Sequence, residues 1–237
     1  MPIHLKAKEG EVAEKVIVTS EPETSTLISQ LLENAKLVSS NRDLFVYSGT
    51  YKGTKISVAA HGFGAPSATL VLDELVQYGA KEIVKVGTAI AIRKDLKLGD
   101  FVIPTASSYL PGGSIGEYVR ESFFVLDAVP DLFLTERLFK SLKKSFNVYY
   151  GPTFSNDLLY SKYYEKQSEL EGKGFLCSEL ECASLFALSH VKGYKSGCVL
   201  LISSLLKDSG FVMLDDESLK KLIREASKGV LEALVEE

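Results

Sequence analysis

Polar residues that could do chemistry stand at four points where a run of apolar, strand-forming residues ends. Residues 61–67 hold two glycines and a proline, which predict a tight turn into a helix. Residues 86–89 offer backbone amides and the hydroxyl of Thr88, which could hold an anion. Residues 178–181 place two carboxylates two positions apart, and therefore on one face of a strand. Residues 202–205 end a buried strand in two serine hydroxyls.

Each junction has a simpler interpretation when it is taken alone. His61 is then a hydrogen-bonded structural histidine, and Thr88 is part of a turn. Glu179 and Glu181 are then solvated acids at a helix start, favoured by the helix dipole. The apolar residues on both sides weaken that interpretation, because carboxylates are rarely buried without a partner. From residue types and spacing alone, the prediction is an α/β protein with a polar site at its strand ends.

Apolar runs of strand length alternate with segments of helical period, and this alternation must position the four junctions. The strands are predicted at residues 16–20, 45–51, 55–60, 82–88, 101–106, 147–153, 175–180 and 196–203. The helices are predicted at residues 25–36, 68–78, 132–146, 181–191 and 215–237, with a surface helix within 156–172. Lys52-Gly53 predicts a hairpin turn. The pattern indicates one α/β domain over residues 1–237 with a parallel or mixed sheet, whose ligands bind beyond the carboxyl ends of the strands.

The composition narrows the class of protein. The 237 residues are 46% hydrophobic, and 27 Lys and Arg against 31 Asp and Glu give a net charge of −4. Scattered lysines on an acidic chain predict neither a nucleic-acid nor a membrane partner. No apolar run reaches the roughly 20 residues of a membrane span, and the first residues lack a signal-peptide pattern. Cys177, Cys182 and Cys198 have no C-x-x-C spacing, which indicates reduced thiols in a cytoplasmic protein, without a metal site or a disulfide framework.

Taken together and in order, the junctions resemble the hexameric nucleoside phosphorylases, a family that includes purine nucleoside, uridine and methylthioadenosine phosphorylases. The matching segments are Pro2-Ile3-His4, Asn41-Arg42, residues 62–67 followed by Glu74-Leu75, Val86-Gly87-Thr88, residues 151–160 and residues 179–183. Gly112-Gly113 and Tyr118-Val119-Arg120 look most like the archaeal purine and methylthioadenosine type.

The resemblance implies a central mixed sheet, partly barrel-like and flanked by helices, in a homo-hexamer built as a trimer of dimers. The family reaction is phosphorolysis, in which phosphate attacks C1′ of the ribose as the base leaves. Inorganic phosphate is a co-substrate, and no cofactor is expected.

The nucleoside end of the family site is largely retained. Glu181 matches the acid that binds the 2′- and 3′-hydroxyls, and Leu180 stands where the family has Met. His4 matches a contact to the 5′ end that is lent by a neighbouring subunit. The other expected nucleoside contacts are Glu179 beside these residues, Phe154 packing on the base, and Ala89 with Ile90 on the base side, where Ile90 replaces a family glycine.

The phosphate end is altered. The family segment Gly-Asp-Pro-x-x-Arg is here Ser20-Glu21-Pro22-Glu23-Thr24, so its glycine and arginine are replaced at Ser20 and Thr24. Glu23 adds a charge that repels phosphate. Lys85 replaces an arginine and loses the bidentate fork. The expected phosphate contacts are therefore Lys85, Thr88, Arg42 serving an adjacent subunit, and the substituted Ser20 and Thr24.

The general acid of purine-cleaving members is also replaced, since Ser203-Ser204 stands where they have Ser-Asp. Ser204 thus occupies the catalytic position, and Asp208 is a nearby acid that could substitute. The Gln-x-Arg of pyrimidine-cleaving members has no counterpart in residues 161–165.

Three hypotheses follow. The chain is a pentosyltransferase that splits a purine nucleoside or 5′-methylthioadenosine with phosphate. Alternatively, it is an impaired nucleoside-binding paralogue, or a partner subunit that completes the sites of an active phosphorylase in a mixed oligomer. The third is a nucleoside hydrolase, since phosphate capture has changed most.

Overall fold

Ten strands form one mixed sheet in the computed structural model, which describes residues 2–110, 113–118, 125–157, 167–207 and 210–236. The strands are β1 (Lys15–Thr19), β2 (Glu33–Ser39), β3 (Val46–Tyr51), β4 (Thr54–Ala60), β5 (Glu82–Ala91), β6 (Phe101–Ser108), β7 (Val148–Ser155), β8 (Cys177–Glu179), β9 (Lys195–Lys207) and β10 (Gly210–Met213). Their spatial order is β10-β9-β6-β7-β8-β5-β1-β4-β3-β2.

A further pairing of β9 with β5 closes part of this sheet on itself. Strands β5, β9, β6, β7 and β8 thereby form a five-stranded barrel, and β1 to β4 extend from it as an open sheet. β5 lies at the junction, parallel to both β1 and β9. The predicted α/β fold with a mixed, partly barrel-like sheet is confirmed.

The described residues include seven α-helices. They are α1 (Pro22–Ser29), α2 (Ala65–Gln77), α3 (Gly113–Tyr118), α4 (Leu132–Leu142), α5 (Gln167–Gly172), α6 (Cys182–Lys192) and α7 (Asp216–Val235). Side chains alternate along each strand, so β1 sends Val16 and Val18 into the core beneath α2 and α6. Ile17 points to the opposite core, beneath α1, α4 and α7. No described helix is long and apolar enough to cross a membrane.

The main error in the predicted elements is the helix at residues 25–36. The helix α1 ends at Ser29, and residues 33–39 form the edge strand β2. Asn34 has a φ of 54°, and the pairing with β3 shifts register twice. Most of β2 is exposed, so it lacks the alternating apolar pattern of a half-buried strand, and its pairing with β3 decides its structure.

The predicted hairpin turn is confirmed at Lys52 and Gly53, whose φ values of 48° and 80° suit a type I′ turn. The sequence does not predict strand β10, because a run of four residues carries too little periodicity.

Candidate functional site

A cavity of about 230 Å³ opens at the carboxyl ends of β5 and β8 and beside the paired strands β9 and β10. Its wall is formed by Ser20, Phe63, Lys85, Thr88, Ala89, Ile90, Asn156, Ser178, Glu179, Leu180, Glu181, Ser203, Ser204, Phe211 and Met213. The structure thus brings together residues from all four predicted junctions. The two acids lie at the carboxyl end of β8, as expected for α/β sheets. Ser203 and Ser204 instead lie within β9, which continues to Lys207, so the strand end predicted there is wrong.

Lys85, Glu179 and Glu181 form a buried ionic cluster at the floor of this cavity. The Nζ atom of Lys85 lies 2.6 Å from Oε2 of Glu179 and 2.6 Å from Oε2 of Glu181. Burial alone would lower the pKa of Lys85, but the two carboxylates outweigh it and hold that pKa well above its usual value. Burial would likewise raise the pKa of Glu179, and Lys85 lowers it below the usual value. The lysine stays protonated, with two acids sharing its charge.

Glu179 is also the anchor of the turn from β8 into α6. Its carboxylate accepts hydrogen bonds from the backbone N–H of Glu181 at 2.8 Å and of Cys182 at 2.9 and 3.0 Å. It further accepts a hydrogen bond from the hydroxyl of Ser155. Charge-assisted bonds at a helix N-terminus are stabilising, so Glu179 holds the turn that presents Glu181 to the cavity.

Glu181 is held from two sides. Its Oε1 accepts a hydrogen bond of 2.7 Å from the backbone N–H of Gly64, and its Oε2 faces Lys85. Gly64 has a φ of 83° and Gly62 a φ of 76°, conformations that favour glycine. A Cβ on Gly62 would collide with Oγ of Ser67, the hydroxyl that donates to the carbonyl of His61. The glycine-rich turn at residues 61–67 therefore serves to aim one amide at Glu181.

His61 lies beneath this turn and is 1% exposed. Its Nδ1 lies 2.6 Å from the carbonyl oxygen of Gly62, and because a carbonyl only accepts, Nδ1 carries the proton. Burial lowers the pKa of His61 to about 4, against a smaller opposing effect of Glu181. The ring is neutral near pH 7 and does not line the cavity.

The part of the wall that β9 and β10 form combines two hydroxyls with apolar side chains. Ser203 and Ser204 are buried, with their Oγ atoms 3.4 Å apart. Met213 of β10 pairs with Ser204, Phe211 lies two residues before it on the same strand, and Phe63 is an exposed part of the wall. Among the described lining residues, no carboxylate other than Glu179 and Glu181 faces the cavity.

Sequence reasoning gave no role to several contributors. Phe63 and Ser178 stand within the predicted junctions, Asn156, Phe211 and Met213 stand outside them, and all five line the cavity. Ser155 supports it from behind. The apolar residues of β10 stand directly after the serine junction in the sequence, and this position is the one signal that could have found Phe211 and Met213.

Other predicted site residues lie off the wall of this chain's own cavity. Phe154 is buried and packs on Phe175, with ring centroids 5.9 Å apart. Thr24 donates a hydrogen bond to Glu21 within the first turn of α1. Arg42 is exposed, and its neighbour Asn41 donates a 2.8 Å hydrogen bond to the carbonyl of His4.

Several positions named above fall outside the described residues. These are Asp208, residues 158–166, Gly112, Val119 and Arg120. Within the described ranges, no group of three or more His, Cys, Asp or Glu side chains could hold a metal ion.

The comparisons with known proteins agree with the fold. The Phosphorylase superfamily model matches residues 15–236. A purine nucleoside phosphorylase of the DeoD type from Haemophilus ducreyi is 32% identical over 237 residues, covering 98% of each chain. One from Listeria monocytogenes serotype 4a is 32% identical over 208 residues, covering 86% of this chain and 87% of that protein.

Among solved structures, the uridine phosphorylase from Vibrio fischeri ES114 superposes with a TM-score of 0.85 at 26% identity, covering 96% of this chain and 94% of that one. Sequence and structure therefore place the chain in the phosphorylase superfamily, as a member of its nucleoside phosphorylase family.

Proposed function

We propose that this chain binds purine-type nucleosides, including 5′-methylthioadenosine, in the cavity above Glu181, and that its phosphorolysis of them is impaired. The family reaction would give a free base and ribose 1-phosphate, or methylthioribose 1-phosphate. The proposal separates two halves of that reaction: recognition of the nucleoside, which the cavity supports, and capture of phosphate with proton transfer, which it does not.

The observation that carries the proposal is the pairing of Lys85 with both acids. Lys85 is the one basic side chain among the described residues of the cavity wall. Its ammonium already faces two carboxylates at 2.6 Å, so a phosphate approaching it would also meet two negative charges. A neutral ligand meets no such repulsion.

The sugar end fits a polyol. An ionised carboxylate has about four lone-pair sites, and Glu181 uses one for Gly64 and one for Lys85. The remaining sites can accept the 2′- and 3′-hydroxyls of a ribose. Thr88 and Ser20 add hydroxyls to the same wall, and Ile90 with Leu180 supplies apolar surface for a base.

The described part of the cavity wall lacks an acid that could protonate the leaving base. A purine departs as an anion unless a group near N7 protonates it, and loss of such an acid typically costs about 10²- to 10⁴-fold in rate. Ser204 holds that position, and a serine hydroxyl is a poor proton donor near neutral pH.

Calorimetric titration with adenosine, inosine and 5′-methylthioadenosine, with and without phosphate, tests the proposal. We expect binding that does not depend on phosphate and is lost in Glu181→Gln, with base release at least about 100-fold slower than in a DeoD-type relative. Full phosphorolysis by the isolated protein would overturn the impairment. Phosphate-independent release of base would instead indicate a hydrolase.

Restoration is the complementary test. Ser204→Asp together with Thr24→Arg should raise phosphate-dependent base release above that of either single variant if the scaffold is otherwise competent. No gain would show that the cavity has been rebuilt beyond these two positions.

We further propose that the chain assembles as a homo-hexamer, a trimer of dimers, or joins an active paralogue in a mixed oligomer. The supporting observation is that His4 and Arg42 are retained, linked through Asn41, and lie off the wall of their own cavity. Native mass spectrometry of the pure chain, and of the chain mixed with an active relative, distinguishes the two assemblies. The three free, buried cysteines fit a cytoplasmic location.

A further inference from the structure

The N-terminal strap, residues 3–7, is held to the fold by side chains and belongs to no strand. Four side chains anchor it. Ser39 accepts a hydrogen bond from the N–H of Lys6 at 3.0 Å, and Asn41 donates one to the carbonyl of His4 at 2.8 Å. The hydroxyl of Tyr78 lies 2.9 and 2.8 Å from the carbonyls of Leu5 and Ala7, and the fourth anchor is Glu74. Together the anchors fix the strap against α2 and the end of β2.

Glu74 makes the densest set of these contacts. Its Oε1 accepts from the N–H of Ile3 at 2.8 Å and of His4 at 2.9 Å, and its Oε2 accepts from the N–H of Leu5 at 2.6 Å and of His4 at 3.0 Å. The carboxylate is buried, with its side chain 8% exposed. One acid thus gathers three successive amides.

The same carboxylate also contacts the ring of His4. Nδ1 of His4 lies 2.9 Å from Oε1 of Glu74, and an ionised carboxylate only accepts hydrogen bonds, so Nδ1 carries the proton. In the neutral ring, Nε2 then holds the lone pair. Nε2 has no hydrogen-bond partner among the described residues, and the His4 side chain is 24% exposed.

We infer that Glu74 is a positioning residue for His4: it fixes the strap and the ring so that Nε2 points outward as a hydrogen-bond acceptor. Such an acceptor suits a hydroxyl of a bound ligand. The ligand half of this inference, that Nε2 binds a ligand, rests on the proposed function, in which His4 contacts a nucleoside in a neighbouring copy. The geometric half, that Glu74 orients the ring of His4, does not.

A purely structural anchor would not need the ring contact. Three backbone amides already tie the strap to Glu74, and the His4 side chain still stays 24% exposed. What the ring contact does determine is the tautomer of His4. Orientation of a histidine by a carboxylate on its second nitrogen is a common way to prepare the first for a ligand.

The tautomer can be measured directly, because the chain has only three histidines. Long-range proton–nitrogen NMR spectra of histidine-labelled protein at about pH 9, well above the ordinary imidazole pKa of about 6.5, report which ring nitrogen carries the proton. His61 provides an internal reference that is protonated on Nδ1. His190 provides a reference that is protonated on Nε2, because this atom lies 3.0 Å from the carbonyl of Val129. Loss of a signal in His4→Gln assigns His4.

In the wild-type protein we expect His4 to be protonated on Nδ1. Glu74→Gln should shift it toward Nε2, because an amide has one accepting oxygen and cannot satisfy the same donors. Asp73→Asn, one residue earlier on α2 and paired with Lys192 at 3.0 Å, is the matched control and should leave His4 unchanged. A wild-type His4 protonated on Nε2 would overturn the inference even if Glu74→Gln failed to fold, and so would an unchanged tautomer in that variant.

Nucleoside titration then tests the ligand half. His4→Ala and Glu74→Gln should each weaken binding about three- to tenfold, the range of one hydrogen bond, and the double variant should be no weaker than His4→Ala. Additive losses would show that Glu74 does not act through His4. If the wild type bound no nucleoside, the proposed function would fall, while the NMR result would still decide the geometry.

Discussion

The ammonium of Lys85 lies 2.6 Å from Oε2 of Glu181, and the two side chains are 2% and 5% exposed. A second carboxylate, that of Glu179, lies equally close to the same ammonium. The two buried acids therefore share one buried base as the partner for their charges. The cluster sets both the stability of the strand ends and the charge that a ligand would meet.

Removal of the lysine should be costly. Lys85→Met leaves two buried carboxylates without their partner, and breaking a buried ion pair from one side typically costs about 3–5 kcal/mol. We expect a decrease of that size in the free energy of unfolding measured in urea. Lys52→Met is the matched control, since Lys52 pairs with Glu232 at the surface with side chains 60% and 42% exposed, and it should change stability by less than about 1 kcal/mol. Equal losses in the two variants would show that Lys85 stabilises its buried carboxylates no more than Lys52 stabilises a carboxylate at the surface.

The same cluster shows how far sequence reasoning reaches. Periodicity within short windows predicted β5, β8 and α6, and the predicted junctions contained Glu179 and Glu181. Lys85 was expected to hold phosphate because it stands at a family arginine position. Its pairing with acids 94 and 96 residues away depends on β5 and β8 meeting in a closed barrel, and such long-range register cannot be read from local pattern. The edge strands β2 and β10 are not predicted for a related reason, since pairing at the edge of a sheet leaves little periodic pattern in the sequence.

His61 should make stability depend on pH between about 6.5 and 4. Burial lowers its pKa from 6.5 to about 4, so the unfolded chain binds a proton in this range that the folded chain does not. Stability is therefore fully present above pH 6.5 and falls as the pH drops toward 4, by about 3 kcal/mol in total. Urea unfolding at several pH values should show a shallower fall for His61→Gln. Ser67→Ala, which removes the hydroxyl bonded to the His61 carbonyl, should keep the wild-type slope, and a wild-type slope in His61→Gln would refute the assignment.

Glu74 should act in a lower pH window. Burial would raise its pKa, but hydrogen bonds from the backbone of Leu5, His4 and Ile3 outweigh that effect and lower the pKa from 4.5 to about 2. A carboxyl group whose pKa is lower in the folded chain than in the unfolded chain stabilises the fold above pH 4.5. This stabilisation, about 3 kcal/mol, is lost as the pH falls toward 2.

The expected result is that the stability difference between wild type and Glu74→Gln shrinks steadily from pH 5 to about pH 2.5. Tyr78→Phe removes another anchor of the N-terminal strap without removing an acid, so its difference from wild type should stay constant over the same range. A constant difference for Glu74→Gln would mean that the strap amides do not stabilise the charged carboxylate.

Ser155 links the ionic cluster to the barrel wall, and its removal should cost more than that of an ordinary serine. Its hydroxyl donates to Glu179, so it must accept both from the N–H of Ala183 at 2.9 Å and from the hydroxyl of Ser107 at 2.9 Å. Ser155→Ala leaves a buried amide unpaired and removes a donor from a buried carboxylate, which predicts a loss of about 1–3 kcal/mol in the free energy of unfolding.

Ser141→Ala provides the comparison for this loss. Ser141 also donates one hydrogen bond, to the carbonyl of Gly229 at 2.8 Å, but it lies on α4, where alanine is the better helix former. We expect that variant to unfold within about 1 kcal/mol of wild type. If Ser155→Ala were equally mild, Glu179 would have to be held by its backbone amides and Lys85 alone, and the strand-to-helix turn would need no support from β7.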